Sequence, residues 1–439
     1  MDWLIILSII FFSMIFLLMI GLPVAFAFLT INVVGVFLLW NDVAGLTQLI
    51  LNIFSSVSKF SLLPIPMFIL MGEIMFRTGL GFKVFDAVAN WFGNMPGRLS
   101  IVAVGSGTLF SVLSGSSVAS TALLGSLLVP DMQKRGYSNQ MSLGPILGSA
   151  GLSTMIPPTA LGILLASLAS IPVGQFLFAI ILPGIILSLL FVVYIVIVAT
   201  IKPELAPSYS VERVTFKTKL IETVKYILPL GIVVFLLLGV IVIGLATPTQ
   251  AAVLGALGTV ILSYFYGGLS WKKLWDSITG MVRSSVMIFM IIIGSTTFGQ
   301  ILSYTGVTQG LVEVVSELQF KPIIILILIQ LVLLLLGLFM EPLSIMMMTL
   351  PVLIPISNAL SFDLLWFGAI MLLNMQLATI TPPFGMDLFA MKGVLPKDSN
   401  ITMFDIYKSV IPFILLNILL MALMIAFPAL TLWLPTFVK

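Results

Sequence analysis

The chain has 439 residues, 60% of them hydrophobic and only 8% charged, with a net charge of +3 and neither cysteine nor histidine. A soluble domain carries about 25% charged residues, so this chain cannot clothe a soluble surface and needs a lipid bilayer as solvent, where about 20 apolar residues suffice for each span. The missing Cys and His exclude disulfides, thiolate chemistry, most zinc sites and histidine proton relays, and the basic residues are explained by membrane topology rather than by nucleic acid.

Apolar runs recur along the chain at Leu4–Ile20, Pro23–Trp40, Phe176–Thr200, Ile227–Ile243, Ile323–Met340 and Pro412–Leu430. The first run follows Asp2 rather than a basic segment and has no small-residue cleavage site, so it reads as a membrane helix and not as a cleaved signal. Amphipathic stretches at Phe82–Phe92 and Thr308–Leu318 read as helices lying in the interface. The expectation is an all-α polytopic membrane protein with ten spanning helices and two re-entrant hairpins. Lys and Arg collect in cytoplasmic loops. One orientation leaves only Lys59, Lys321 and Lys439 of the 19 basic residues outside, which places both termini outside as well.

The two halves match at an offset of 225 residues. Gly21-Leu-Pro23 faces Ala246-Thr-Pro248, Ser116 faces Glu341, Pro130 faces Pro355, Thr154 faces Thr379 and Pro157-Pro158 faces Pro382-Pro383. Each half holds five spans and one hairpin, and an odd number of spans turns the second half upside down. Inverted repeats of this kind mark secondary transporters, with sites at broken helices near the bilayer midplane. The predicted organisation is a first repeat over 1–200 (hairpin about 97–131, broken helix about 139–170), a cytoplasmic linker over 201–225, and a second repeat over 226–439 (hairpin about 321–357, broken helix about 363–392).

The first hairpin is apolar yet dense in Gly, Ser and Thr, with its tip at Ser114-Gly115-Ser116-Ser117. Unwound backbone at membrane depth is tolerated only under protein or beside water. Its carbonyls and hydroxyls can there ligate a hard cation such as Na⁺, and a helix N-terminus can face an anion. Small residues by themselves also let helices pack closely. The second tip carries Glu341 between Met340 and Pro342. An acid in an apolar stretch is costly and functional by default, although it can also snorkel or pair structurally. At each Pro-Pro pair a helix loses two donors and frees carbonyls one turn earlier, beside Thr154 in one half and Thr379 and Thr381 in the other; a simple kink is the bland reading. The Met346–Met348 run reads as core packing.

Ser114-Gly-Ser-Ser-Val-Ala-Ser-Thr121, Pro130-Asp-Met-Gln-Lys-Arg-Gly-Tyr137, Ile156-Pro-Pro-Thr159, Ala246-Thr-Pro-Thr-Gln-Ala-Ala252 and Thr381-Pro-Pro-Phe-Gly385 together resemble the large membrane (M) subunit of TRAP (tripartite ATP-independent periplasmic) transporters, within the ion-transporter superfamily. The likeness extends over nearly the whole chain. It implies an elevator mechanism with scaffold and transport domains in the bacterial inner membrane, and symport of two or more Na⁺ ions. It also implies a small four-helix membrane subunit and a periplasmic substrate-binding protein as partners. Its hairpin-tip and broken-helix sites put substrate against Ser116, Ser117, Thr154, Pro157, Glu341, Thr381 and Pro382. The cation ligands expected are Ser114, Gly115, Ser116, Gly151, Thr154, Met340, Glu341, Thr379 and Thr381. Gln250 stands where the family usually has Glu, which removes the charge that a scaffold ion pair there would use. Thr159 replaces a frequent Ser, and Glu341 a frequent Asp.

The expected activity is import of a small organic anion; C4-dicarboxylates, sialic acids, keto acids and sulfonates all fit. A binding-protein-independent sodium/dicarboxylate carrier shares the architecture but typically shows Ser-Asn-Thr at its hairpin tips. An intramembrane enzyme would need a base for a nucleophilic serine, and no lysine falls within a predicted span. A passive channel fits two mirrored breaks less well than alternating access does.

Overall fold

The structure is a computed structural model that describes residues 3–39, 43–79, 85, 87–93, 95–114, 116–208, 215–266, 268–318, 320–338, 340–396 and 399–438. Among these residues the regular structure is helical throughout. The first half runs α1 (Trp3–Met19), α2 (Val24–Leu39), α3 (Val43–Val57), α4 (Pro64–Thr78), α5 (Arg98–Ser114), α6 (Ser117–Lys134), α7 (Asn139–Ala150), α8 (Ala160–Leu168) and α9 (Val173–Ile201). The second begins with α10 (Phe216–Val242), which contains a π turn at Thr223–Ile227. It continues with α11 (Pro248–Phe265), α12 (Trp271–Tyr304), α13 (Val307–Glu317), α14 (Pro322–Gly337), α15 (Pro342–Ala359), α16 (Leu364–Ile380), α17 (Met386–Val394) and α18 (Met403–Ala426).

Polar residues and prolines, rather than the apolar runs, set where these helices start. Pro64, Pro248, Pro322 and Pro342 open helices at a position whose N–H would be unpaired anyway. Ser138, Thr159, Ser270, Asp363 and Thr402 cap others through a side-chain oxygen. Gln250 closes a capping box with Thr247: it accepts from the Thr247 N–H at 2.9 Å, and its own N–H donates to the Thr247 hydroxyl at 3.3 Å. The residue therefore has a role that needs no charge.

Helices α5 to α9 have counterparts in order in α14 to α18, and Gly79 and Gly306, both at φ 75°, end the helices before them. One difference stands out. Between α3 and α4 the helix breaks at Ser58–Lys59 and resumes through a 3₁₀ turn at Phe60–Leu62, whereas α12 runs unbroken for 34 residues over the matching stretch. Seven described helices are long and apolar enough to cross a membrane, against ten expected. Several apolar helices, α1, α2, α14 and α16 among them, have 17 residues or fewer. The long set also includes α15, a hairpin arm. The stretch read as a linker is already helical from Phe216.

The helices pack as two groups. In one, α12 lies against α2, α3 and α4, and α11 lies against α4 and α10. In the other, α18 and both arms of the first hairpin surround α7, while α14 and α15 flank α16. Close crossings use glycine, as where Gly294 takes Phe28 and Gly148 takes Phe413. Large side chains such as Phe12, Phe37, Phe54, Phe235 and Phe265 stand exposed on the outer surface, the pattern of a lipid-facing belt. Helix α13 buries Val307, Thr308 and Gly310 and packs on α1 and α15. Its first-half counterpart, Phe82–Phe92, lies partly outside the described residues. At its described end the Asn90 amide donates to the Glu222 carboxylate at 2.6 Å.

Candidate functional site

The chain turns between α5 and α6 and between α14 and α15. The backbone of Ser116 is extended, and its hydroxyl caps α6 by accepting from the Ala119 N–H at 3.2 Å. Ser114 ends α5, and Gly115 lies outside the described residues. At the second tip Glu341 occupies the same capping position before Pro342, yet its side chain makes no capping bond. Its carboxylate instead accepts from the Ser344 hydroxyl at 3.2 Å.

The helix breaks follow from the proline pairs, both of which contain a cis bond. Helix α7 tightens into a 3₁₀ turn over Gly151–Thr154, and the chain restarts as α8 with Thr159 as cap, its hydroxyl accepting from the Gly162 N–H at 3.3 Å. Threonine thus supplies the hydroxyl a serine would. Helix α16 stops at Ile380 and α17 starts after Gly385. The Tyr407 hydroxyl donates to the Pro383 carbonyl at 2.9 Å and holds that bend. Threonine hydroxyls line the broken ends. Thr154 has the Gly151 carbonyl at 3.0 Å and the Gln376 side-chain oxygen at 3.2 Å as acceptors. Thr379 donates to the Gln376 carbonyl at 2.8 Å, and Thr381 to the Leu377 carbonyl at 2.6 Å. Each hydroxyl oxygen keeps lone pairs for a cation.

Ser116, Ser117, Thr154, Glu341 and Thr379 line one cavity of about 420 Å³. They come from both hairpins and both breaks. Of the other predicted site residues, Gly151 is buried under the Gln376 side chain, and Pro157, Met340, Thr381 and Pro382 lie at the bends without lining the cavity. The facing wall comes from the other group of helices. There Glu73 and Arg77 of α4 form an ion pair at 2.8 Å, one turn apart and both partly exposed. A methyl group at Gly280 of α12 would strike the Glu73 carboxylate, so this glycine leaves it room. A larger cavity of about 960 Å³, between α3, α12 and α15, contains none of the predicted site residues.

Sequence reasoning missed a buried amide chain between the breaks. Gln376 accepts from Thr154, and its amide donates to the Asn417 side-chain oxygen at 3.1 Å. Asn417 in turn donates to the Phe413 carbonyl at 2.8 Å. Similarly, Asn374 donates to Gln330 at 2.9 Å and ties the second break to a hairpin arm. The available signal was the amides inside these apolar helices, Gln330, Asn374, Gln376 and Asn417, each costly unless paired. Glu73 and Arg77 were legible as an acid and a base four residues apart. Among the described residues no three Asp, Glu, His or Cys side chains cluster; the converging donors are hydroxyls, carbonyls and a carboxylate, a hard oxygen set.

The fold and this cavity define a multi-pass membrane carrier with paired hairpins and broken helices. The profile of the tripartite ATP-independent periplasmic transporter, DctM component, matches residues 11–430, and the chain belongs to that family of transport permeases. It is 30% identical to the C4-dicarboxylate TRAP transporter large permease protein DctM of Pseudomonas aeruginosa, over 88% of this chain and 89% of that one. It is 28% identical to the ectoine TRAP transporter large permease protein TeaC of Halomonas elongata, over 96% and 97%. The crystal structure of the YdaH transporter of Alcanivorax borkumensis shares the fold with a TM-score of 0.68 at 13% identity, covering 90% of this chain and 91% of that one.

Proposed function

We propose that this chain is the translocating subunit of a sodium-coupled importer of a small organic anion. Two or more Na⁺ ions are held at the hairpin tips and helix breaks, and the substrate lies between them. The observation that carries the reading is the convergence of Ser116, Ser117, Thr154, Glu341 and Thr379 on one cavity. Hydroxyls, freed carbonyls and the Glu341 carboxylate would hold Na⁺ there, and the bound charge would draw the anion. Arg77 on the opposite wall supplies a guanidinium suited to a carboxylate or sulfonate. The charge-based topology puts Arg77 at the cytoplasmic side, which supports a cavity reached from there and both termini in the periplasm.

The packing into two groups supports an elevator, in which hairpins and broken helices slide as one body past α2–α4 and α10–α12. Family membership supports a small membrane subunit and a periplasmic binding protein as partners. The names of the two relatives support a small organic solute; a C4-dicarboxylate, a sialic acid or a sulfonate each fits. The test is uptake of candidate anions into proteoliposomes holding this chain and its small membrane partner, with and without an inward Na⁺ gradient and the binding protein. Uptake that requires both supports the reading. Uptake that requires sodium alone favours a stand-alone sodium/dicarboxylate symporter of the same superfamily.

A further inference from the structure

Asp387 lies in the first turn of α17, is completely buried, and has neither carboxylate oxygen in a hydrogen bond of normal geometry. It forms no ion pair among the described residues. Lys392, one turn and a residue further along the helix, donates instead to the Ile401 carbonyl at 2.6 Å. A buried carboxylate without a partner is strongly disfavoured, and the N-terminal end of a helix offsets only part of that cost.

The surroundings of Asp387 are oxygens. The hydroxyls of Thr379 and Ser117 stand beside its carboxylate. Neither completes a hydrogen bond to it, and the Thr379 proton points to the Gln376 carbonyl. The approach is fixed by packing. α17 lies along α6, where Gly125 receives Met391, and Asp387 sits one turn before Met391 on the same face. At the other end Gly385 lies so close to the Thr379 carbonyl that a side chain there would collide with it. The carboxylate is thus held between the first hairpin tip and the second helix break. A neutral acid in this place would need an acceptor for its proton and donors for its other oxygen, and the Thr379 hydroxyl is already committed elsewhere. A small hard cation satisfies carboxylate and hydroxyl oxygens together.

We propose that Asp387 is the acidic ligand of a Na⁺ site that joins the first hairpin to the second break, completed by Ser117 and Thr379. This site crosses between the halves, joining the first hairpin tip to the second helix break. It makes closure of one half depend on the other. The inference rests on the sodium-coupled reading.

The test is thermal unfolding of the full-length purified chain in detergent, titrated with NaCl against choline chloride at constant ionic strength. Wild type is expected to gain stability with sodium, and Asp387→Asn, nearly isosteric, to raise the half-saturating concentration at least ~10-fold. Ser117→Ala is expected to shift it in the same direction by less. The double variant is expected to be no worse than Asp387→Asn alone, because both groups serve one ion. An Asp387→Asn titration that overlays wild type overturns the site, as do additive shifts in the double variant. If Asp387→Asn does not fold, an unshifted Ser117→Ala overturns it equally. A wild-type chain indifferent to sodium would instead remove sodium coupling altogether.

Discussion

At the first hairpin tip the capping residue is Ser116, whose hydroxyl is used by the Ala119 N–H; at the second it is Glu341, whose carboxylate leaves the cap unfilled and turns to Ser344. The first break has Thr154 donating toward Gln376, and the second has Thr379 donating to its own helix. The same backbone device thus carries unequal charge. At the tips and breaks the first half offers neutral oxygens, while the acids there, Glu341 and Asp387, belong to the second; Glu73 of the first half lines the cavity from α4, paired with Arg77. A repeat fixes where chain breaks fall, but each half can fill those breaks with different chemistry. The unequal charge predicts unequal sensitivity.

The largest effect is expected at Glu341. Glu341→Gln keeps the shape and removes the charge; losing a charged ligand of about 3 kcal/mol lowers sodium affinity roughly 100-fold. A sodium titration of uptake that matches wild type would equalise the two tips and end the comparison. Next comes Gln376→Ala, which leaves the Asn417 side-chain oxygen unpaired in the interior and Thr154 with the Gly151 carbonyl alone. A buried polar group left unpaired costs about 1–3 kcal/mol, to be read as a lower unfolding temperature of the detergent-solubilised chain; an unchanged temperature would mean the amide chain does not couple the breaks.

Thr154→Val and Thr379→Val remove one hydroxyl each. The Thr154 change is expected to be the costlier, because that hydroxyl bridges the two halves; about 1 kcal/mol per hydrogen bond is roughly a 5-fold rise in half-saturating sodium. Equal effects would show that the bridge carries no energy. The smallest effect is expected at Ser116→Ala, which removes a helix cap worth about 1 kcal/mol and raises half-saturating sodium a few-fold. A change as large as that at Glu341 would remove the difference between the tips.

Composition and local motifs specify the solvent, the helical class and the turning points. Composition demands a bilayer, the Pro-Pro pairs cannot continue a helix, and Ser116 and Glu341 mark hairpin tips because polar residues in apolar runs must face something polar. These are local consequences of backbone geometry and desolvation, so they are visible one residue at a time. Helix lengths were less legible, because α1, α2 and α16 are shorter than a full bilayer crossing although their composition is equally apolar. Which polar groups meet is settled by packing between helices far apart in the chain. Gln376 reaches Thr154 across 222 residues of sequence, Glu73 and Arg77 face the hairpin tips from another helix group, and Asp387 stands beside Ser117 of the other half. Such contacts depend on how whole helices pack. That packing is set by the distributed fit of many small and large side chains, which no short motif records.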